Sequence, residues 1–335
     1  MKLIYIFCLC FFLFGCAMSP FDYSKINGVS FVASRDSISE SNIKPILNLH
    51  ANYASVMPFG FIRELSHPEI QYNSNRQWFG ETQDGVKQYI NALNKEGIHV
   101  MMKPQIWVWR GEFTGGIRMQ SETDWKILEA AYSKFILDFA KVAQETRVDI
   151  FCIGTELETF IDERPAYWKQ LIEKIRKVYK GKLTYAANWN EYNRTPFWGD
   201  LDFIGIDGYF PVSDLKTPTV DECKLGLERW KTQVKLYHNV FKKPILFTEY
   251  GFRSVDFAGK EPWKSDRDMD KVNLEAQANA TQAFFDTFWN EDWVAGGFIW
   301  KWFHNHNQAG GINDSQFTPQ NKPVEVIIKE IYSKF

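Results

Sequence analysis

Two glutamates stand where short apolar segments of the chain end. Glu156 closes the segment 151–156 (FCIGTE), and Glu249 closes the segment 246–249 (LFTE). An apolar strand that ends in a charged group must either desolvate that group or open it to a cleft, and the cleft costs less free energy. Two carboxyl groups that meet in one cleft can break a glycosidic bond, because one attacks the anomeric carbon while the other protonates the leaving oxygen. For either glutamate alone, a solvated loop charge is the alternative.

The elements that would position these carboxyl groups alternate along the chain. Apolar or β-branched segments predict eight strands, at 28–33, 53–58, 98–104, 148–154, 183–188, 202–207, 244–249 and 294–300. Helical periodicity lies between them, at 83–96, 122–146, 166–179, 221–240, 268–289 and 323–333, with the weakest pattern at 36–50. This alternation predicts an α/β fold, a single-domain (β/α)8 TIM barrel over 16–335. Catalytic groups of such barrels lie at the C-terminal ends of strands, where Glu156 and Glu249 leave the fourth and seventh.

Four motifs occur in order along the predicted barrel. They are 154–157 (GTEL), 205–211 (GIDGYFP), 248–251 (TEYG) and 300–302 (WKW). Together they resemble glycoside hydrolase family 113, a group of β-mannanases in clan A, and the resemblance extends from the second to the eighth predicted strand. It implies a retaining enzyme that cleaves β-1,4-mannosidic bonds in mannan-type polysaccharides or oligosaccharides by double displacement and needs no cofactor. By the same resemblance, Glu156 is the general acid/base and Glu249 the nucleophile.

Two other functions stay open at this point. The carboxylate pair does not encode the identity of the sugar, so another clan A β-glycanase, acting on glucan or xylan, is the first alternative. A non-catalytic glycan-binding surface lipoprotein is the second, although the presence of both carboxylates favours activity. The chain also departs from much of clan A, which has an asparagine that binds the sugar 2-hydroxyl immediately before the acid. Thr155 stands there, and Asn188, at the end of the fifth strand, is the candidate for that contact.

Aromatic residues make up 16% of the chain, and several follow predicted strands. Flat rings stack on sugar faces, and large rigid rings suit such platforms. The predicted substrate-binding residues are Lys103, Trp107, Trp109, Asn188, Trp189, Tyr209, Trp300 and Trp302. Trp300 and Trp302 should share one face of the eighth strand, and the Tyr209 hydroxyl should donate to Glu249. Core packing is the alternative for the rings, and pairing with a carboxylate or exposure to solvent is the alternative for Lys103.

Three further groups are set aside. Glu158 lies two residues beyond Glu156 and would point away from the cleft if the strand geometry continued. His304 and His306 have no carboxylate or cysteine at ligand spacing, so we predict loop histidines and no metal site. Asp207 is interpreted as a structural residue.

The start of the chain resembles the signal peptide of a bacterial lipoprotein. An apolar run at 3–14 is too short for a transmembrane helix and suits a secretory signal, and Gly15 then precedes Cys16 as in a lipobox. We therefore expect residues 1–15 to be a signal peptide, Cys16 to carry lipid, and the protein to be membrane-anchored in the cell envelope, at the outer membrane or cell surface. An ordinary signal peptide, or a start buried in the fold, is the alternative.

Charge and composition exclude other classes of protein. With 39 Lys+Arg against 41 Asp+Glu, the net charge of −2 argues against a nucleic-acid partner. Apolar residues at 45% and charged ones at 24% are typical of a globular chain. The expected partners are thus a β-linked polysaccharide or oligosaccharide and, through the N-terminal lipid, a membrane. Nothing in the sequence indicates an oligomeric state.

Overall fold

The computed structural model describes residues 24–265 and 271–335. Cys16 and the predicted signal peptide lie outside the described residues. Within those two ranges, no helix is both long and apolar enough to cross a membrane.

The strands form a closed parallel barrel and one small extra sheet. They are β1 (Ile26–Phe31), β2 (Tyr53–Val56), β3 (Phe59–Ile62), β4 (His99–Met102), β5 (Gln105–Val108), β6 (Ile150–Thr155), β7 (Lys182–Asn188), β8 (Ile204–Asp207), β9 (Ile245–Tyr250) and β10 (Val294–Trp302). Eight of them close the barrel in the order β1-β10-β9-β8-β7-β6-β4-β2, and each overlaps a predicted strand. The predicted (β/α)8 architecture is confirmed.

Helices follow the barrel strands and cover their outer faces. They are α1 (Glu40–Asn48), α2 (Gln83–Lys95), α3 (Glu122–Glu145), α4 (Glu158–Glu163), α5 (Pro165–Val178), α6 (Val220–Phe241), α7 (Leu274–Phe288) and α8 (Pro323–Tyr332). The weak pattern at 36–50 is a helix, whereas the predicted helix at 268–289 starts late. Its first three residues lie outside the described residues, and α7 begins after Asn273, whose side chain accepts a hydrogen bond from the Ala276 N–H at 3.0 Å.

The apolar core has an inner and an outer part. A small cluster lies near the starts of the barrel strands and fills that end of the interior; it comprises Ile26, Met101, Ile150, Phe203, Leu246, Ala295 and Phe298. A much larger cluster packs the outward-facing strand residues against the helices. Since the interior is packed with apolar side chains at that end, polar chemistry is left to the opposite end, where the strands finish.

Two barrel strands continue beyond the rim as a separate parallel pair. Pro58 and Pro104 follow β2 and β4 closely, and the chain then resumes as β3 and β5, in the register Phe59↔Gln105 to Ile62↔Val108. Proline lacks the N–H that a ladder needs, so each strand is interrupted at these points. The sequence analysis did not predict this extension, which forms one wall of the barrel mouth.

Candidate active site

Glu249, near the end of β9, accepts hydrogen bonds from three side chains. The Gln105 amide donates to Oε1 at 3.2 Å, and the Tyr209 hydroxyl donates to Oε2 at 2.6 Å, as predicted for Tyr209. The Lys103 ammonium also donates to Oε1, in a direct ion pair. The residue is almost completely buried. An ammonium and two neutral donors compensate the charge of this carboxylate, as a buried anion requires.

Lys103, directly after β4, is fully buried between Glu249 and Asp207. Its Nζ lies 3.5 Å from Asp207 Oδ1, which also accepts a hydrogen bond from the Thr248 hydroxyl at 2.7 Å. Burial lowers the pKa of Lys103, but the negative charges of Asp207 and Glu249 outweigh it and raise the pKa overall. Of the two roles predicted for Lys103, donation to a sugar hydroxyl or pairing with a carboxylate, the structure shows the pairing, and the side chain has no exposed surface.

The backbone at Glu156 has an uncommon conformation. It follows β6 with φ of +50°, in the left-handed region that residues other than glycine adopt uncommonly. Its N–H donates to the Ala186 carbonyl at 2.8 Å, and its carbonyl accepts from the Thr114 hydroxyl at 3.2 Å. Within the described ranges, the Glu156 carboxyl group has no hydrogen-bond partner. The backbone therefore sets the direction of this side chain.

The surroundings of Glu156 favour its protonated form. Burial raises the pKa of its carboxyl group well above the ordinary value, and the negative charges of Asp207 and Glu249 raise it further. Lys103 opposes this effect without cancelling it. Two glutamates at one barrel mouth thus have opposite environments, one charge-compensated and the other proton-retaining. Such a divergence distinguishes a nucleophile from a general acid.

An aromatic cleft lies along the β3–β5 sheet, and Gln105, which donates to Glu249, is among the residues that line it. Its volume is about 1120 Å³, larger than is usual for a single small ligand. Among its lining residues are the predicted Trp107, Trp109 and Trp300, together with Trp78, Phe59, Phe61, Gln105 and Lys301. Trp107 and Trp109 are 48% and 67% exposed, which is uncommon for tryptophan in a packed domain. The cleft therefore offers several exposed aromatic rings to a ligand.

The model of glycoside hydrolase family 113 matches residues 20–322. The chain belongs to glycoside hydrolase family 113. No curated protein matches the chain by sequence.

Solved structures share the fold of this family 113 chain. The β-mannanase AaManA of Alicyclobacillus acidocaldarius, of family 113, superposes with a TM-score of 0.80 at 22% identity, over 93% of this chain and 98% of its own. A second family 113 structure, a β-1,4-mannanase, gives 0.79 at 23% identity, over 93% and 99% of the two chains. A β-glucuronidase of Ruminococcus gnavus gives 0.60 at 15% identity, over 88% of this chain and 46% of its own.

Two of the predicted tryptophans lie away from the cleft. Trp302 is fully buried in the outer core and packs near the His306 ring, with 5.4 Å between the ring centroids. It does not line the cleft with Trp300, and its burial favours core packing, the alternative given for this ring. Trp189 stacks on Trp263 at 4.8 Å and is partly exposed, but it lies outside the wall formed by the β3–β5 sheet.

The polar residues near Glu156 have partners of their own. Asn188 Oδ1 accepts from the Trp189 N–H at 2.8 Å, and Asn188 Nδ2 lies 3.4 Å from Glu158 Oε1. Glu158 is also ion-paired with Arg194, so its carboxylate has partners other than Glu156 and Glu249. The Thr155 hydroxyl is buried. Each end of the Asn188 amide thus has one partner, and one lone pair of Oδ1 and one N–H of Nδ2 are left for another contact.

His306, one of the two loop histidines, has a carboxylate and an aromatic ring as neighbours. His306 Nε2 lies 2.7 Å from Glu325 Oε1, and its ring lies against Trp302. Across residues 24–265 and 271–335, no group of three or more potential metal ligands is present.

Sequence reasoning missed Gln105, Glu191 and the aromatic wall of β3. A signal for the wall existed, because the segment 59–62 (FGFI) resumes an apolar pattern directly after Pro58. Gln105 occupies the matching position after Pro104. Glu191 lies in a loop and carried no signal, since only the folded chain brings it to Tyr185.

Proposed function

We propose that this protein is a retaining β-mannanase that cleaves β-1,4-mannosidic bonds by double displacement. The observation that carries the proposal is the opposite environment of the two glutamates at the barrel mouth. Glu249 accepts three donors, including the Lys103 ammonium, whereas Glu156 has a raised pKa and no partner for its carboxyl group among the described residues. One carboxylate is prepared to attack and the other to give a proton.

In the first step, Glu249 attacks the anomeric carbon and the bond to the leaving oxygen breaks. Glu156 transfers its proton to that oxygen, so the leaving sugar departs as a neutral alcohol. The Tyr209 hydroxyl and the Gln105 amide hold the two oxygens of Glu249 in place before the attack. The product of this step is a glycosyl ester of Glu249.

In the second step, Glu156, now ionised, takes a proton from water, and the resulting nucleophile displaces Glu249 from the anomeric carbon. The ester bond breaks, and the β configuration of the starting sugar is restored. The negative charge returns to Glu249 beside Lys103. Glu156 recovers its proton, which the nearby Asp207 and Glu249 charges favour.

The choice of mannan rests on the family and on its solved members, three of which are described as β-mannanases. The volume of the aromatic cleft, about 1120 Å³, supports a polymeric or oligomeric substrate over a monosaccharide glycoside, because a single sugar unit would fill only part of it. A family 113 barrel with both carboxylates and several exposed aromatic rings is suited to binding several consecutive sugar units.

The test is hydrolysis of a panel of polysaccharides. The protein is incubated with mannan, glucomannan, cellulose and xylan, and the released oligosaccharides are identified by chromatography. Manno-oligosaccharides should dominate, and Glu249→Gln, which preserves the volume of the side chain, should release none. Faster release from cellulose or xylan would transfer the assignment to another β-glycanase, and binding of mannan without any release would indicate a glycan-binding protein.

We also propose that the chain is lipid-anchored to the cell envelope through Cys16. The support is sequence alone, namely the apolar run at 3–14 and the Gly15-Cys16 pair. Stable anchoring takes more than one acyl chain, as a bacterial lipoprotein carries. Replacement of Cys16 by Ser should move the protein from the membrane fraction to the soluble fraction. An unchanged distribution would contradict lipid attachment at this residue.

A further inference from the structure

We propose that Glu191, acting through Tyr185, is a positioning residue that fixes the direction of the Glu156 carboxyl group for protonation of the leaving oxygen. The inference rests on the proposed function. Neither residue touches the cleft, and neither takes part in the two chemical steps described above.

The first link is the peptide that follows Glu156. The Leu157 N–H donates to the Tyr185 hydroxyl at 2.6 Å, and the N–H of Glu156 itself donates to the Ala186 carbonyl at 2.8 Å. Two adjacent peptides of this exit turn are therefore held by consecutive residues of β7. Because the Glu156 carboxyl group has no side-chain partner within the described ranges, these backbone contacts and the Thr114 contact to its carbonyl decide where it points.

The second link orients the tyrosine. The Tyr185 oxygen accepts the Leu157 N–H, so its own proton is free to be donated, and Glu191 Oε1 lies 2.7 Å away. Glu191 Oε2 accepts the Asn188 N–H at 2.9 Å. The donors thus run in one direction, from the exit turn to Glu191, and aligned hydrogen bonds of this kind strengthen one another in a low-dielectric interior.

Burial of a carboxyl group at this position costs free energy unless the group forms hydrogen bonds. Glu191 is only 1% exposed, and burial raises its pKa to about 8. A glutamine of the same shape cannot replace it without loss, because its NH2 group would face either the Asn188 N–H or the Tyr185 O–H, and both of these are donors. Glu191 and Tyr185 are therefore matched to each other and, through Leu157, to the backbone of Glu156.

The chain provides a control for simple loss of packing. Tyr132, in α3, is another buried tyrosine, and its hydroxyl donates to the Ile153 carbonyl at 2.9 Å. Tyr132→Phe and Tyr185→Phe each delete one buried hydroxyl bonded to the backbone near β6. Only the second deletion acts on the peptide next to Glu156.

The test compares substrates that differ in their need for a proton. We expect Tyr185→Phe and Glu191→Gln to lower kcat/KM for mannopentaose by about 10- to 100-fold, as a small misplacement of a catalytic group does. For 2,4-dinitrophenyl β-mannoside, whose leaving group needs no acid, the change should stay within about two-fold. Tyr132→Phe should leave both values near those of the wild type.

Equal losses on both substrates in Tyr185→Phe and Glu191→Gln would overturn the inference, since they would indicate general loosening. The same selective loss in Tyr132→Phe would overturn it too. Glu191→Gln preserves side-chain volume, so it keeps the test open if Tyr185→Phe fails to fold. A wild-type protein without activity on any β-mannoside would instead refute the proposed function, and this inference with it.

Discussion

Replacement of Lys103 by methionine should both destabilise the protein and shift its pH profile. The substitution keeps most of the side-chain length and removes a fully buried ammonium that lies 3.5 Å from Asp207 Oδ1 and pairs with Glu249. At an effective dielectric constant of about 20, one such pair at 3.5 Å corresponds to about 5 kcal/mol of attraction. Removing one partner of a buried pair costs about 3–5 kcal/mol in practice, because the remaining charge is left buried.

The loss should appear in two assays. Thermal denaturation should show a Tm lower by about 6–10 °C, at about 2 °C per kcal/mol for a domain of this size. The acidic limb of the kcat/KM profile should move to higher pH by about 2 units, since a loss of about 3 kcal/mol of charge compensation corresponds to that shift. The reason is that Asp207 and Glu249 would share a buried site without a cation, and one of them would take up a proton.

Lys322→Met is the matched control, and Asp207→Asn closes a double-mutant cycle. Lys322 also has a fully buried side chain and an acidic partner, Asp314 at 2.7 Å, but it makes no contact with the catalytic pair. Its replacement should lower Tm and leave the pH profile in place. The double variant Lys103→Met/Asp207→Asn should lose less stability than the sum of the single losses, because it buries one unpaired charge fewer.

The reasoning would be refuted by a Lys103→Met variant whose unfolding free energy lies within about 1 kcal/mol of the wild type and whose acidic limb has not moved. That result would mean that the cluster does not carry the separated charges on which the role of Glu249 depends. A shifted limb with unchanged stability would refute only the energetic part.

Three other predictions test the rest of the site. Glu249→Ala should abolish turnover of every substrate, whereas Glu156→Ala should give a burst of product with activated aryl glycosides. On the wild type, NMR should find that the β anomer forms first, and an α product would exclude Glu249 as the nucleophile. Direct attack also requires that the two carboxyl groups lie about 5–5.5 Å apart. Trp107→Ala should raise KM for mannopentaose by about 3- to 10-fold through lost stacking and leave aryl mannosides unaffected, and equal effects on both would remove Trp107 from the binding site. The difference in unfolding free energy between the wild type and Glu191→Gln should shrink as pH rises from 4.5 through about 8, because a buried carboxyl group with a raised pKa stabilises the fold only while it is protonated. Denaturation at several pH values should detect the change, and a constant difference would contradict the effect of burial on this pKa.

The barrel could be predicted from the sequence because each of its strands is a short apolar segment bounded by turns. Glu156 and Glu249 could be placed at the barrel mouth for the same reason, since both follow such segments directly. These features follow from the spacing of apolar residues along the chain, which is a local property of the sequence. Element starts were less accurate, as at α7, where the Asn273 cap outweighs a helical pattern that begins earlier.

The side-chain environments that the sequence did not predict depend on contacts between distant segments. Lys103 looked like any polar residue at a strand end, and only closure of the barrel encloses it between Asp207 and Glu249. Trp302 was assigned to the cleft by period-two alternation, yet it is fully buried and only Trp300 lines the cleft. Periodicity predicts which residues share a face while the strand stays regular, and it does not predict what lies opposite that face.

The two glutamates are held in place by different kinds of contact. Substitutions around one glutamate should therefore have different effects on activity from substitutions around the other. Glu249 is held by side chains from two segments far apart in the chain, so changes in Lys103, Gln105 or Tyr209 act on its charge and should move the acidic limb of the pH profile. Glu156 is held by its backbone, so changes behind it act on direction and should appear as dependence on the leaving group. Because one carboxyl group must be ionised and the other protonated at the same pH, a single kind of support could not serve both.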